Sequence, residues 1–82
     1  MNLREFKGLT QYTNRHIARL IGCSYSAVQF NMRRGTNLSK PEHQNNFETI
    51  ARMEEIIRGN PDDKFLLIQE YEEFTGIEFK GE

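Results

Sequence analysis

The side chains best suited to bind a charged partner are basic ones, and they lie together in the first part of the chain. Residues 1–35 contain six lysines and arginines but only one acid, Glu5, which gives a local net charge of +5. Residues 36–82 carry a net charge of −6, so the total of −1 hides two oppositely charged parts. This asymmetry indicates a polyanion as the partner of the basic part. The alternative is two ordinary solvated faces.

Catalysis and metal binding have few suitable side chains in this sequence. The histidines, His16 and His43, are far apart, and neither has a zinc-ligand spacing to Cys23, the single cysteine. Cys23 lies in an expected packed turn without a nucleophile motif, and the chain has no glycine-rich phosphate loop. We therefore predict that the chain is not an enzyme and uses no metal or cofactor. His16 is expected to be a surface or phosphate-side residue that adds positive charge below about pH 6.5.

A chain of 82 residues fits one domain, residues 1–82, with a thin core that a partner chain often supports. One cysteine excludes an intramolecular disulfide and, without a secretory signal, favours a reducing, cytoplasmic setting. No apolar run approaches the roughly 20 residues that span a bilayer, so no membrane association is expected. Oligomerisation is the expected additional support.

Helix start and stop signals along the chain predict an all-α fold of four to five short helices. A first helix is predicted near the N-terminus. A second helix then starts after Thr13 and ends at Gly22, and a third starts after Ser24 and ends at Gly35, since Thr and Ser are N-cap residue types and glycine suits a helix end. The two helices are joined by only three or four residues around a glycine. This spacing predicts a helix-turn-helix within residues 14–35.

The acidic part of the chain has two further helical patterns, which together form an expected two-helix part over residues 39–76. One runs from about Pro41 to Arg58, and Gly59 and Pro61 stop it. The other is opened by two aspartates and ended by Gly76. The two aspartates are Asp62 and Asp63. The residues after Gly76 alternate between apolar and polar types, as in a strand, but no partner strand is evident, so we expect them to form a tail.

The last helix has more apolar residues than one helix face needs. Phe65, Leu66, Leu67 and Ile68 are consecutive, so at least one of them points away from the domain's own core. The surplus indicates a surface for a second copy or another partner. The candidate residues are Phe65, Leu66, Ile68 and Tyr71. The alternative is a thin core that wraps this helix on several sides.

The order of small, turn and apolar residues in positions 14–35 resembles the helix-turn-helix of small bacterial and phage transcriptional regulators, the Cro/repressor-like and resolvase-like groups most. The residues that carry the resemblance are Ile17-Ala18, Gly22, Ser24, Val28 and Arg33-Arg34-Gly35. Two features depart from the pattern. The phrase Gly8–Gln11 stands further from the Ile-Ala pair than in the Cro/repressor-like group. Asn31 stands where the pattern has an aliphatic residue, and Met32 or Phe30 is expected to fill that part of the core instead. For Phe30, a core position is favoured over a contact with a thymine methyl group.

The resemblance implies a transcriptional regulator, such as a repressor, that binds double-stranded DNA as a homodimer with the second helix in the major groove. Gln29 suits adenine, and Arg33 suits guanine. The implied base contacts are Tyr25, Ser26, Gln29 and Arg33. The implied phosphate contacts are Thr13, Asn14, Arg15, Arg19, Ser24 and Arg34. Each of these is also compatible with an ordinary helix surface, although residues 25–34 include no acid.

A second hypothesis is a protein-interaction module that uses the helix-turn-helix only as a scaffold. In this case the acidic part binds another regulator or a polymerase subunit. The acids expected to matter are Glu54, Glu55, Glu70, Glu72 and Glu73. Binding that falls steeply with salt favours DNA. Dependence on these acids favours a basic protein.

Overall fold

The computed structural model describes residues 1–59, 62 and 64–81, and these form five α-helices and no strand. The helices are α1 (Leu3–Thr10), α2 (Asn14–Ile21), α3 (Tyr25–Arg34), α4 (Pro41–Gly59) and α5 (Lys64–Thr75). The predicted all-α fold is thus confirmed. Among the described residues, no helix combines the length and apolar character needed to cross a membrane.

The boundaries of α2 and α3 follow from their capping residues. Thr13 and Ser24 each accept a hydrogen bond of 3.1 Å from the backbone N–H three residues further on, which starts each helix. Gly22 and Gly35 adopt left-handed conformations, with φ of 86° and 70°, and end them. A turn of residues 22–24 therefore joins α2 to α3, and we call residues 14–34 the helix-turn-helix.

The other helix ends differ slightly from the sequence signals. The sequence signals place the first helix at about Leu3–Lys7, with an extension towards Tyr12 as the alternative. α1 continues through Gly8 to Thr10, and its C-cap residue Gln11 has a left-handed φ of 61°. α5 begins at Lys64, after the two aspartates that the sequence suggested. Of the residues expected to separate α4 from α5, Pro61 and Asp63 lie outside the described part of the chain.

The core is built around α4, which contacts both α2 and α5, while α1 packs against α3. Ile17 of α2, Val28 of α3 and Ile50 of α4 are completely buried. Phe6 of α1 packs its ring edge-on against Phe47 of α4, with ring centroids 5.5 Å apart. The helix-turn-helix and the acidic helices therefore share one core.

A buried carboxylate lies where α4, α5 and the α1–α2 loop meet. Oε2 of the fully buried Glu54 accepts hydrogen bonds from the hydroxyls of Tyr12, at 2.8 Å, and Tyr71, at 2.7 Å. Its Oε1 accepts one from Nε of Arg58 at 2.9 Å. Burial and the bond to Glu54 raise the pKa of Tyr12 to about 12, and the same causes raise the pKa of Tyr71. Both phenols therefore remain donors at neutral pH.

Two sequence predictions are wrong at this cluster. Tyr71 was expected on a partner surface, but it is completely buried, and its hydroxyl donates to Glu54 inside the core. Glu54 was expected among the acids that a protein partner would contact, but it is also completely buried. Neither residue is available to a partner of the folded chain.

The last residues form a tail, as the lack of a partner strand suggested, and the structure shows that this tail packs against the core. Phe79 is buried against Tyr71, with ring centroids 5.1 Å apart, and its backbone N–H donates to Glu72 at 2.9 Å. These contacts bring Lys80 to the loop that precedes α2, where it lines a cavity with His16. The tail thereby joins the end of the acidic part to the basic part.

Candidate nucleic-acid interface

The side of α3 that points to solvent carries the four residues predicted to contact bases. Ser26 and Arg33 are exposed, Tyr25 is 37 % exposed and Gln29 is half-buried. The opposite side of α3 is packed inward through the completely buried Val28. Since residues three or four positions apart share one side of a helix, these four can face one groove together.

The structure shows which of the α3 residues Phe30, Asn31 and Met32 face the core. Asn31 is buried, and its amide donates to the carbonyl of Ala27 at 2.8 Å and accepts from the hydroxyl of Thr36 at 2.7 Å. Met32 packs against the core, as expected, but Phe30 is 58 % exposed. The favoured core position of Phe30 is therefore wrong. Its side of the helix points outward because Val28 and Asn31 occupy the inner side.

Two guanidinium groups are held over aromatic rings at this surface. Arg15 of α2 lies 4.8 Å from the ring centroid of Tyr25 on α3. Arg34 lies 5.2 Å from the ring centroid of the exposed Phe30. Such cation–π contacts restrict the arginine side chains without using their N–H donors. Both guanidiniums thus remain able to donate to an anion.

The helix N-termini predicted to meet phosphates are exposed. Thr13 and Ser24 use their hydroxyl oxygens as N-cap acceptors, which leaves the hydroxyl hydrogens as donors. Asn14 accepts a 2.7 Å hydrogen bond from Nζ of Lys7, which adds an ammonium group beside the start of α2. Arg19 is exposed further along α2. Lys7 was missing from the predicted site because this contact joins two different helices.

Arg4 is a second residue that the sequence reasoning missed. Its Nε donates to the carbonyl of Met32 at 2.8 Å, and its Nη2 donates to that of Arg33 at 2.6 Å. These carbonyls belong to the last turn of α3, where a helix has unpaired acceptors and favours a cation. Arg4 thus fixes the C-terminal end of α3 from α1. No local sequence signal marks this role.

The prediction that His16 lies on the surface is wrong. The side chain is only 8 % exposed, its ring packs edge-on against Tyr12 at 4.6 Å, and its Nε2 has no hydrogen-bond partner. Burial, followed by the charges of Lys80 and Arg19, lowers the pKa of His16, while Glu54 opposes the shift. His16 also lines an open cavity of about 310 Å³, called here the α2 cavity. Its lining residues are Thr10, Gln11, Tyr12, Thr13, His16 and Lys80.

We expect His16 to make the fold less stable in mild acid. Its folded-state pKa lies below the unfolded value, so the unfolded chain binds more protons and stability falls as the pH drops through about 6.5. Urea denaturation of the wild type and of His16→Gln between about pH 5 and 8 measures this effect. The wild type should lose more stability towards acid than the variant. Parallel pH profiles would contradict the assignment.

Other candidate chemistry finds little support in the structure. Cys23 is half-buried against the core, and burial raises the pKa of its thiol, which opposes formation of a nucleophilic thiolate. Within residues 1–59, 62 and 64–81, no cluster of three or more histidines, cysteines, aspartates or glutamates is placed to hold a metal ion.

The surplus apolar residues of α5 divide between core and surface. Phe65 and Leu66, in the first turn of α5, are 80 % and 63 % exposed, and we call these two residues the α5 surface. Ile68 is half-buried and packs against the core. Exposed acids, Glu70 and Glu73, follow on the same helix. The predicted partner surface is thus reduced to the start of α5.

The structure thus has two separate candidate surfaces. One is basic and solvent-facing and lies on α2 and α3, and the other is the apolar α5 surface, which exposed acids follow on the same helix. The basic surface contains all of the predicted base and phosphate contacts in exposed or half-buried positions. Comparison with models of protein families, with curated proteins and with solved structures finds no match to this chain.

Proposed function

We propose that this chain is a sequence-specific DNA-binding regulator of transcription, of the small helix-turn-helix kind, that acts as a homodimer. The observation that carries the proposal is the outer side of α3. It presents Tyr25, Gln29 and Arg33 to solvent with no acid in the helix, next to the arginines of α2. An acid on that side would repel phosphate, and its absence suits a helix that enters the major groove.

Base recognition would come from the middle and end of α3. The Gln29 amide has the donor and acceptor needed for a bidentate pair with adenine, and the Arg33 guanidinium suits guanine. Ser26 and Tyr25 offer hydroxyl groups near the start of the helix. The exposed ring of Phe30 adds an apolar surface of the kind that contacts a thymine methyl group.

Phosphate contacts would position α3 in the groove. Arg15 and Arg34 keep free N–H donors while their guanidiniums rest on aromatic rings. Arg19, Thr13 and the start of α2 extend this surface along the second helix. These contacts set the register of the protein on DNA but do not distinguish sequences.

A homodimer would place two recognition helices on two half-sites. Proteins that read DNA with one short helix reach two half-sites about one helical turn apart by pairing through a symmetric interface. The exposed Phe65 and Leu66 provide apolar surface for such pairing, and they lie in the acidic part of the chain. A negative part is expected to turn away from phosphate, so it suits pairing better than DNA contact.

Leu66→Glu is expected to convert a dimer into a monomer. The change places a charge in an apolar interface without removing a core side chain, since Leu66 is 63 % exposed. Sedimentation velocity at micromolar concentration measures the mass of the species. Glu73→Gln, an exposed change on the same helix, is the matched control and should leave the dimer intact. A wild-type chain that sediments only as a monomer would rule out the pairing.

A second candidate function is a protein-interaction module that uses the same α5 surface. The observation in its favour is the combination of exposed Phe65 and Leu66 with exposed acids on α5, which suits a basic and apolar partner. The acids that remain available are Glu55, Glu70, Glu72 and Glu73, of which Glu72 is half-buried. Glu54 is excluded by its burial.

Salt dependence of DNA binding separates the two candidates. Fluorescence anisotropy with a random-sequence duplex at several salt concentrations should give a linear fall of log K with log salt, with a slope of about −0.9 for each phosphate contact. Arg19→Ala should reduce that slope. Arg52→Ala, an exposed arginine on α4, should leave it unchanged. A chain that binds no duplex even at low salt would favour the interaction module.

A further inference from the structure

The α2 cavity lies at the start of α2, next to the first backbone N–H groups of that helix. Thr13, the N-cap residue of α2, lines it beside Lys80 of the tail. The N–H of His16 is used by the Thr13 hydroxyl, whereas those of Asn14 and Arg15 precede it in the first turn and have no intrahelical acceptor. A helix N-terminus with free N–H groups favours an anion.

A buried and unsatisfied side chain lies at the same place. His16 is 92 % buried, lines the α2 cavity and has an Nε2 atom without a hydrogen-bond partner. Buried polar atoms are nearly always paired, so an unpaired one calls for a ligand or another specific reason. The ammonium of Lys80 lies close enough to affect the imidazole. Two basic groups and a helix N-terminus thus border one cavity.

We propose that the α2 cavity is an oxyanion site that holds one backbone phosphate of DNA, with Lys80 of the C-terminal tail as one of its ligands. This inference rests on the proposed function, because it assigns the anion to duplex DNA. The tail would then be part of the DNA-binding surface, although it comes from the acidic end of the chain. The packing of Phe79 on Tyr71 and the bond from its N–H to Glu72 hold Lys80 there.

Binding at this site should take up a proton. The groups around the His16 imidazole are Lys80 of the tail, Arg19 of α2, Glu54 of α4 and Tyr12 of the preceding loop. A bound anion counters the two positive charges and so favours the imidazolium form. Anion affinity should therefore rise as the pH falls towards about 6, until loss of the fold itself intervenes.

Sulfate, which does not titrate near neutral pH, is the direct probe of the site. In an NMR titration at constant ionic strength, sulfate should shift the amide signals of Asn14 and Arg15 and the imidazole signals of His16. Lys80→Gln should weaken sulfate binding by roughly tenfold or more, as expected for the loss of one charged hydrogen bond. Arg52→Gln removes an exposed charge on α4 and is the matched control, with no expected change. Absence of these shifts would overturn the site.

Duplex DNA is the second probe, and it tests the source of the anion. Lys80→Gln should lower duplex affinity and reduce the slope of log K against log salt by about 0.9, whereas Arg52→Gln should not. Sulfate binding together with unchanged duplex affinity in Lys80→Gln would overturn the assignment to a DNA phosphate. If the wild type bound no duplex, the proposed function and this assignment would both fail. The sulfate titration would still decide whether the oxyanion site exists.

Discussion

Replacing Glu54 with alanine is expected to destabilise the fold by about 3–5 kcal/mol, the range for breaking a buried charged pair. The carboxylate accepts hydrogen bonds from Tyr12, Tyr71 and Arg58 in the interior, and alanine leaves all three without this acceptor. A domain of 82 residues has a total stability of roughly 4–12 kcal/mol. The variant should therefore lose much of its stability, and its urea denaturation midpoint should lie far below that of the wild type.

The matched control is Glu55→Ala, which removes the neighbouring but exposed acid. Surface changes of this kind usually alter stability by no more than about 0.5 kcal/mol. Glu54→Gln should fall between the two, because the amide keeps the shape and one acceptor oxygen but loses the charge that Arg58 contacts. Equal urea denaturation midpoints for Glu54→Ala and Glu55→Ala would contradict the buried cluster.

Replacing Arg33 with alanine is expected to have the largest effect on DNA recognition. Loss of a bidentate contact to guanine should cost about 1–3 kcal/mol against the preferred sequence and relax discrimination at one base pair. The fold should tolerate the change because the side chain is exposed and Arg4 bonds only to the backbone carbonyl of Arg33. Affinity for a duplex panel with single base changes, measured by anisotropy, tests this.

Alanine variants of two other arginines are the controls for the effect of Arg33→Ala on duplex affinity. Arg19→Ala should weaken binding to every sequence about equally, as expected for a phosphate contact. Arg52→Ala should change neither the affinity for duplex DNA nor the discrimination between sequences, because this exposed residue lies on α4 rather than on α2 or α3. If Arg33→Ala weakened all sequences alike, Arg33 would be a phosphate contact and base recognition would rest on Gln29 and its neighbours.

Local sequence signals were sufficient for the helix-turn-helix. Thr13 and Ser24 start helices because a side-chain oxygen can satisfy a free N–H, and Gly22 and Gly35 end them because glycine adopts positive φ without strain. These are short-range effects that need no tertiary information. The all-α class followed from the same signals.

Residues whose positions depend on tertiary contacts were not predictable in this way. Phe30 and Tyr71 are both aromatic and on helices, but only the rotation of each helix about its axis decides that Phe30 is exposed and Tyr71 buried. For Tyr71 that rotation matches the bond to Glu54, a residue of a different helix. Lys80 and His16 likewise line one cavity only because the tail packs back across the core.

Selection from random duplex DNA tests sequence-specific binding by α3. We expect enrichment of a palindromic sequence whose half-sites lie about 10 bp apart, and loss of that enrichment with Arg33→Ala. Such a result would establish a dimeric reader of DNA sequence that uses α3. No enriched sequence from the wild type, with weak and salt-sensitive binding at most, would contradict sequence-specific DNA recognition and favour a protein partner of the α5 surface.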